Sequence, residues 1–279
     1  MQQRKRTRFD WVGLAAGVML ISTALVLFLP LFYVVATSLQ PPEVANSPDP
    51  AWIFEPTLRN YETLLVKQNF LPYFQNSLAS ALGASLLSMI VAVPAAYALS
   101  RKTFTGFWGI IASILAMRAL PAVAVAIPFF VIYSTLGLLD TVLSLILVYL
   151  PFNVAVAVWL LRGYFESVPI SLDEAAMVDG CSPIRTLFSI ILPVVAPGLA
   201  GTFIVTFLFG WNNFLFPLVF TSSRARTVPL ALTQYIGEYV INWGPIMAGV
   251  VLLSAPLVLI SFALRKYMIS GLSAGAVKD

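Results

Sequence analysis

Residues 174–193 read EAAMVDGCSPIRTLFSIILP and interrupt an otherwise apolar chain. This polar interruption begins after Arg162 and ends at Pro193, so it is too short and too polar to cross a lipid bilayer. We predict that it is a docking surface for a soluble partner protein. The alternative is a helix that lies on the membrane surface, with Arg185 on its polar face and Phe188 on its apolar face.

The residues around Glu174 predict a short helix that begins near Leu172. Ser171 and Glu174 have the spacing of a reciprocal capping box, in which a hydroxyl and a carboxylate satisfy free backbone N–H groups. Asp173 and Glu174 also lie at the positive end of the helix dipole, where a negative charge is favourable.

A second short helix is predicted after a glycine turn. Gly180 supplies the left-handed residue that ends the first helix, and Ser182 followed by Pro183 is typical of a helix start. The apolar residues that follow at helical spacing until Pro193 are Ile184, Leu187, Phe188 and Ile191. Helices this short are marginal in water, so we expect both to bind a groove in another protein.

The composition predicts an all-α integral membrane protein. Of the 279 residues, 59% are hydrophobic and 10% are charged, which is too little polar surface to cover a water-soluble globule. Apolar runs of about 20 residues are long enough to cross the hydrocarbon core as helices. We place six transmembrane helices near residues 11–38, 73–99, 107–134, 141–162, 198–220 and 245–264.

The distribution of Lys and Arg predicts the orientation, because positive loops tend to stay on the cytosolic side. The N-terminal cluster that is expected inside comprises Arg4, Lys5, Arg6 and Arg8. Six crossings also place inside Arg101, Lys102, Arg162, Arg185, Arg265, Lys266 and Lys278. The basic residues left outside are Arg59, Lys67, Arg224 and Arg226. Both termini are therefore predicted to be cytosolic.

This topology gives a simple domain organisation. We expect cytosolic tails at residues 1–10 and 265–279, and a single membrane domain over residues 11–264. The domain contains a proline-rich external loop over residues 40–72 and the polar loop over residues 163–197, which lies between the fourth and fifth helices. The first apolar stretch is longer than an ordinary signal core, so we interpret it as a retained helix.

Residue content argues against several kinds of chemistry in this chain. There is no histidine, which excludes a His-based triad and His-ligated metals, and the single Cys181 cannot form an internal disulfide. No Gly-Lys pair occurs, and a phosphate-binding loop requires one, so any ATP is hydrolysed by a different polypeptide. No basic and aromatic stripe suggests nucleic acid binding. We expect no catalytic residues, no metal site and no cofactor here.

Two places are candidates for the substrate pathway. Arg118 lies inside the third apolar run, where a charge needs a compensating group, and either structural anchoring or pathway lining explains it. The fifth apolar run contains aromatic rings, which suit the C–H faces of a sugar, and asparagine amides, which suit its hydroxyl groups. The alternative is that the asparagines form hydrogen bonds between membrane helices. These residues are Trp211, Asn212, Asn213 and Phe214.

The polar interruption resembles the cytoplasmic loop of membrane subunits of ATP-binding-cassette importers. That loop has the pattern EAA, three residues, Gly, nine residues, Ile, one residue, Leu-Pro. The matching positions, with Asp179 beside them, are Glu174, Ala175, Ala176, Gly180, Ile190, Leu192 and Pro193. The stretches at 118–130 and 210–220 and the ending GLSAGAVKD are similar to carbohydrate permeases of the maltose-transport type.

The resemblance implies a six-helix permease with a cytoplasmic pair of coupling helices between helices 4 and 5. It further implies a second, non-identical permease, two copies of a cytosolic ATPase that bind ATP and Mg, and an external solute-binding protein. This chain would form half of the pathway for a sugar or oligosaccharide in the cell membrane of a bacterium or archaeon. Glu174 would contact the ATPase, and Ala175 and Ala176 would permit close approach.

Other functions remain open on the sequence. The same importer role for glycerol phosphate or a related polyol is one alternative, with Arg118 as a phosphate contact. A second is an ion-coupled secondary transporter, which the lack of carboxylates well inside the spans weakens. A third is a scaffold whose polar interruption binds another cytosolic factor without moving solute.

Overall fold

The computed structural model describes residues 11–49, 52–102, 105–237 and 240–276. Within these residues the regular structure is helical, apart from one isolated antiparallel bridge between Ile236 and Ile241. The prediction of an all-α fold is confirmed.

The helices of the first half of the chain are α1 Trp11–Ser38, α2 Pro42–Ala45, α3 Arg59–Glu62, α4 Leu71–Arg101, α5 Phe107–Ala119, α6 Ala122–Thr135 and α7 Val142–Glu166. Those of the second half are α8 Ile170–Val178, α9 Pro183–Thr186, α10 Leu192–Val194, α11 Ala196–Trp211, α12 Leu215–Phe220, α13 Val228–Ala231 and α14 Trp243–Ala276. The remaining helical segments are two π-helical turns, Thr63–Lys67 and Leu187–Ile191, and one 3-10 turn, Leu232–Tyr235.

Four predicted spans are single helices that are long and apolar enough to cross a membrane. They are Ala15–Ser38, Leu71–Arg101, Val142–Glu166 and Trp243–Ala263. The other two predicted spans are interrupted. The third divides into α5 and α6, because Leu120 precedes Pro121 and adopts the extended conformation that proline imposes on its neighbour. The fifth divides into α11 and α12, so the count of six continuous helices stays a prediction.

The chain divides into two compact units. The first contains the described residues up to Gln68 together with Tyr235–Leu252, and the second contains Asn69–Gln234 and the described residues from Leu253 onward. In the first unit, the buried Asn60 amide donates to the carbonyls of Ser38 (2.9 Å) and Gln40 (2.8 Å), which fixes α3 beside the end of α1. The single membrane domain over residues 11–264 stays a prediction.

The second unit is built around the contact between α4 and α7. The buried face of α4 consists mainly of small residues, which let helices approach closely. These are Ser77, Ser80, Ala81, Ala84, Ser85, Ser88, Ala92 and Ala96. Gly210 of α11 extends this close packing, because a Cβ atom there would lie 3.1 Å from the Cα atom of Ala81. Helix α4 is thereby packed closely against α7 and α11 within this unit.

Candidate functional site

The polar interruption folds as two short helices joined by the predicted glycine turn. Gly180 has a φ of 78°. Its N–H donates to the carbonyl of Met177 (3.0 Å), and that of Cys181 donates to the carbonyl of Ala176 (2.9 Å). These two bonds are the Schellman arrangement that satisfies the last carbonyls of a helix. Ser182 caps α9 by accepting from the N–H of Arg185 at 3.4 Å, as predicted.

The start of the first helix differs from the prediction. Helix α8 begins at Ile170, two residues before Leu172, and no side chain caps it, so the expected capping box of Ser171 and Glu174 is wrong. Pro169 has φ −56° and ψ 136°, an extended conformation that allows the helix to begin at the next residue. Ser171 consequently lies inside the first turn, where its hydroxyl is not at the capping position.

The second short helix is anchored to the rest of the unit by its apolar side. Leu187 and Ile191 are buried in a cluster with Leu99, Leu161 and Phe165. The helical path continues through Leu187–Ile191 as a π-helical turn and ends at Val194, one residue beyond the predicted limit. The segment Pro183–Val194 then meets α11 at an angle of 84°. The interruption is therefore a bent elbow fixed at one end of α11.

The elbow also carries large apolar side chains that are exposed in this structure. The most exposed are Val178 (88%) and Ile184 (72%). We define the coupling face as the exposed residues Ile170, Glu174, Met177, Val178, Asp179, Ile184 and Phe188. Large apolar side chains exposed outside the long apolar helices are typical of a surface that contacts another protein.

The other predicted coupling residues divide between exposure and burial. Ala175, Gly180 and Pro193 are exposed beside the coupling face, whereas Ala176 is buried. Ile190 and Leu192 are partly buried against the apolar cluster of Leu187 and Ile191. Glu174, Ala175 and Gly180 of the motif therefore lie on the outside of the elbow, whereas Ala176 and the later apolar positions attach the elbow to the unit.

A buried ion pair joins the elbow to two long helices. Arg101 Nη2, at the end of α4, lies 3.0 Å from Asp173 Oδ2 of α8. Arg101 Nη1 donates to the carbonyl of Phe165 at the end of α7 (2.9 Å), and the Tyr97 hydroxyl donates to Asp173 Oδ1. We call Tyr97, Arg101 and Asp173 the polar junction. The polar junction therefore connects α8 to the ends of α4 and α7.

Sequence reasoning did not find the polar junction. Arg101 was assigned only to the cytosolic charge bias, and Asp173 only to the helix dipole. The signal in the sequence is the spacing of Asp173 and Ala176, which are three residues apart and so share a helix face. In the structure this face is buried, whereas Glu174 and Ala175 are exposed. A carboxylate on the buried face of a helix needs a cationic partner.

The predicted pathway residues have different environments. Trp211 is fully buried, stacks on Phe207 with ring centroids 5.4 Å apart, and donates its indole N–H to the carbonyl of Leu253 at 3.0 Å. Asn213 Oδ1 accepts from the N–H of Phe216 at the start of α12 (3.1 Å), while Asn212 and Phe214 are exposed.

The pathway role of these four residues stays a prediction, and the geometry favours it least for Trp211, whose partners are those of a core residue. The side chain of Arg118 lies outside the described part of the structure, so its predicted role also stays a prediction.

A second polar site lies at the opposite end of α4 from the polar junction. The Asp140 carboxylate accepts from the backbone N–H groups of Ser222, Ser223, Arg224 and Ala225 at 3.0 to 3.2 Å. The same loop is tied to the first turns of α4, because Asn76 Nδ2 donates to the carbonyls of Arg224 and Arg226. Burial alone raises the pKa of Asp140, but the backbone N–H groups outweigh it and hold that pKa well below its usual range.

Asp140→Asn is expected to lower the melting temperature of the purified protein at pH 7. Asparagine tolerates the left-handed backbone of this residue (φ 56°) but lacks the charge that the four N–H groups bind. Because folding lowers the pKa of Asp140, its carboxylate stabilises the folded state fully when the pH is above about 3.8, the ordinary pKa of this group. This stabilisation is lost as the pH falls towards the lower pKa of the folded state.

Melting curves of the wild type and Asp140→Asn should therefore differ at pH 7, and the difference should shrink progressively as the pH falls below about 4. Asp49→Asn, an exposed carboxylate in another loop, is the matched control and should change little. A difference for Asp140→Asn that persists undiminished at low pH would contradict this assignment.

The chain matches known transport proteins over most of its length. The family described as binding-protein-dependent transport system inner membrane component matches residues 84–273. The trehalose/maltose transport system permease protein MalG of Thermococcus litoralis is 36% identical over 245 residues, which cover 84% of this chain and 88% of that protein. The diacetylchitobiose uptake system permease protein DasC of Streptomyces coelicolor is 32% identical over 278 residues, which cover 98% and 99%.

The fold also has a counterpart among solved structures. A chain of a bacterial ABC transporter involved in the import of the acidic polysaccharide alginate superposes with a TM-score of 0.74. The match covers 95% of this chain and 100% of that chain at 23% identity. At this identity the likeness concerns the fold and carries no statement about the transported solute.

Proposed function

The chain belongs to the family of binding-protein-dependent transport system inner membrane components, and we propose that it is one permease of an ATP-binding-cassette importer for neutral sugars or oligosaccharides. Its curated relatives are named as permeases for trehalose and maltose and for diacetylchitobiose. In this proposal the chain lines half of the pathway and a second, non-identical permease lines the other half.

The observation that carries the proposal is the coupling face. Isolated helices as short as α8 and α9 are marginal without a supporting surface, yet their outer side exposes Ile170, Met177, Val178 and Ile184. Glu174 and Asp179 add negative charge to this apolar surface. A groove with an apolar floor and a basic or polar rim is the complementary partner, and we assign it to a cytosolic ATPase.

The proposed mechanism uses the polar junction as the link between partner and pathway. ATP binding closes two ATPase copies, and their grooves displace the elbow that carries the coupling face. Because Asp173 is paired with Arg101, the displacement reaches the ends of α4 and α7. The helices then change from inward to outward access, and hydrolysis resets them. ATP and Mg are bound by the ATPase copies, and an external binding protein delivers the solute.

A charge placed on the coupling face is expected to separate the permease from its ATPase. The double variant Val178→Asp with Ile184→Asp should reduce the ATPase that co-purifies with the permease by at least about tenfold, because two carboxylates would be desolvated in the groove. Sugar-stimulated ATP hydrolysis should fall in parallel. The measurement is affinity purification from membranes, followed by phosphate release in lipid nanodiscs.

Val66→Asp provides the matched control. Val66 is 73% exposed and lies in the loop predicted to face the outside, so the same substitution there should leave ATPase recovery unchanged. Equal recovery of the ATPase with the double variant and with wild type would overturn the assignment of the coupling face. Recovery of an ATPase without any ATP-dependent uptake would instead favour the scaffold function.

A further inference from the structure

The first turn of α11 meets α7 through a contact between a glycine and an aromatic ring. A Cβ atom on Gly198 would lie 2.6 Å from both Cδ atoms of Tyr164, whereas non-bonded carbon atoms pack at about 3.5–4.0 Å. The Cγ atom of the ring is close as well, and the equal, short distances to the two Cδ atoms place this position over the face of the ring. Only a residue without a side chain lets the two helices approach this closely.

The neighbouring glycines do not make such a contact. Gly201 follows Gly198 by three residues in α11, yet a Cβ atom there would lie 3.8 Å from the Tyr164 hydroxyl, which is an ordinary contact distance. A Cβ atom on Gly163, beside Tyr164 in α7, would have no described atom within 4 Å. Among these three glycines, the close approach therefore requires only Gly198.

Gly198 lies just after the bend between the elbow and α11. The segment Pro183–Val194 ends at this bend, where it meets α11 at 84°. The N–H of Val195 donates to the carbonyl of Ile191 (3.1 Å), and that of Leu199 donates to the carbonyl of Val195 (3.0 Å). Backbone hydrogen bonds thus run through the bend and connect the elbow to the turn of α11 that contains Gly198.

Tyr164 lies at the end of α7 that approaches the elbow. The next residue, Phe165, is buried in the apolar cluster with Leu187 and Ile191, and its carbonyl accepts from Arg101. Two consecutive residues of α7 therefore face the two connections of the elbow, one through the polar junction and one through α11. Tyr164 is 39% exposed, so its ring contributes less to the buried core than that of Phe165.

We propose that Tyr164 and Gly198 are positioning residues for transport, and that α11 turns on their contact against α7 when the elbow is displaced. We call this the pivot contact. Helices whose side chains interlock resist sliding, but a ring face on a bare glycine has no ridge to fit into a groove. The inference rests on the proposed function. It connects the elbow to α7 through α11, in addition to the polar junction, and transport requires both connections.

Removal of the ring tests the pivot contact while the coupling face stays unchanged. Tyr164→Ala should lower the trehalose taken up per ATP hydrolysed by about fivefold or more, because the elbow would no longer move α7 through α11. Tyr164→Phe keeps the ring face and should restore the wild-type ratio. The measurement is uptake into proteoliposomes and phosphate release, on one preparation of the assembled complex with its binding protein.

A methyl group added at Gly198 separates positioning from packing. Gly198→Ala would overlap the Tyr164 ring, so this variant should melt well below the wild type. In the double variant Gly198→Ala with Tyr164→Ala, the space left by the ring accepts the methyl group, and the melting temperature should recover. Uptake by the double variant should stay low, because the ring is absent. Gly201→Ala adds the same group where the contact is ordinary, so this matched control should change neither quantity.

The inference is rejected if uptake recovers together with the melting temperature in the double variant, since the contact then serves packing alone. A wild-type ratio of uptake to hydrolysis in Tyr164→Ala also rejects it. These results leave the proposed function intact, because the wild-type complex still takes up trehalose in an ATP-dependent manner. Absent uptake by the wild-type complex instead rejects the proposed function, and the pivot contact with it.

Discussion

Asp173→Leu is expected to abolish ATP-dependent sugar uptake while the assembled complex continues to hydrolyse ATP. The side chains of Arg101 and Asp173 are only 10% and 9% exposed, so the substitution leaves a buried guanidinium without its carboxylate. Breaking one side of a buried ion pair typically costs about 3–5 kcal/mol. Helix α8 would still present the coupling face to the ATPase, but its displacement would no longer reach α4. Uptake into proteoliposomes and phosphate release, measured on one preparation, separate the two activities.

A double-mutant cycle distinguishes the ion pair from general loss of packing. Arg101→Met combined with Asp173→Leu removes both charges, so its loss of melting temperature should be smaller than the sum of the two single losses. Uptake by the double variant should stay low, because the link remains broken. Lys102→Met changes the neighbouring, exposed cation and should behave as wild type. Additive losses, or wild-type uptake by Asp173→Leu, would contradict the role assigned to the polar junction.

The polar junction has a mechanical consequence for the whole second unit. Arg101 ends α4, and Phe165, which accepts its second hydrogen bond, lies at the end of α7. At the other end of α4, Asn76 is bonded to the loop that Asp140 organises. Helix α4 therefore has side-chain hydrogen bonds near both ends, and we propose that a displacement of the elbow reaches the opposite end of the unit along this helix.

Local signals in the sequence were sufficient for the turn of the elbow. Gly180 ends α8 because only a residue tolerant of positive φ closes the Schellman arrangement, and Ser182 caps α9 because its hydroxyl is close to the N–H of Arg185. Both features depend on residues within a few positions of each other. The capping box at Ser171 failed for a related reason: Pro169 began the helix earlier, and two competing start signals cannot be ranked by pattern alone.

Features that depend on distant residues were not predictable from the pattern. Arg101 and Asp173 are far apart in sequence, and nothing in either neighbourhood specifies the other as a partner. Hydropathy also gave continuous third and fifth spans, since it averages over the breaks at Pro121 and between Trp211 and Leu215. A single extended residue ends a helix but hardly changes the mean hydropathy of about 20 residues. The burial of Trp211 likewise depends on the contact between α11 and α14.

Trp211→Ala is expected to cause a large loss of stability. Trp211 is fully buried between Phe207 and Phe74, and its N–H is bonded to the carbonyl of Leu253. Removing a buried aromatic side chain costs about 3–5 kcal/mol, because the transfer free energy is lost and a cavity remains. The expected readout is a melting temperature of the purified permease far below that of the wild type, with low recovery from membranes.

Comparison with Asn212→Ala decides between packing and substrate contact at this position. Asn212 is the next residue but is exposed, so its replacement should leave the melting temperature unchanged and is free to alter the KM for uptake. Trp211→Phe keeps the ring stack on Phe207 and loses only the hydrogen bond, so it should lower the melting temperature less than Trp211→Ala. If Trp211→Ala instead melts like Asn212→Ala and changes the KM, then Trp211 contacts the sugar, and the core packing between α11 and α14 contributes little to stability.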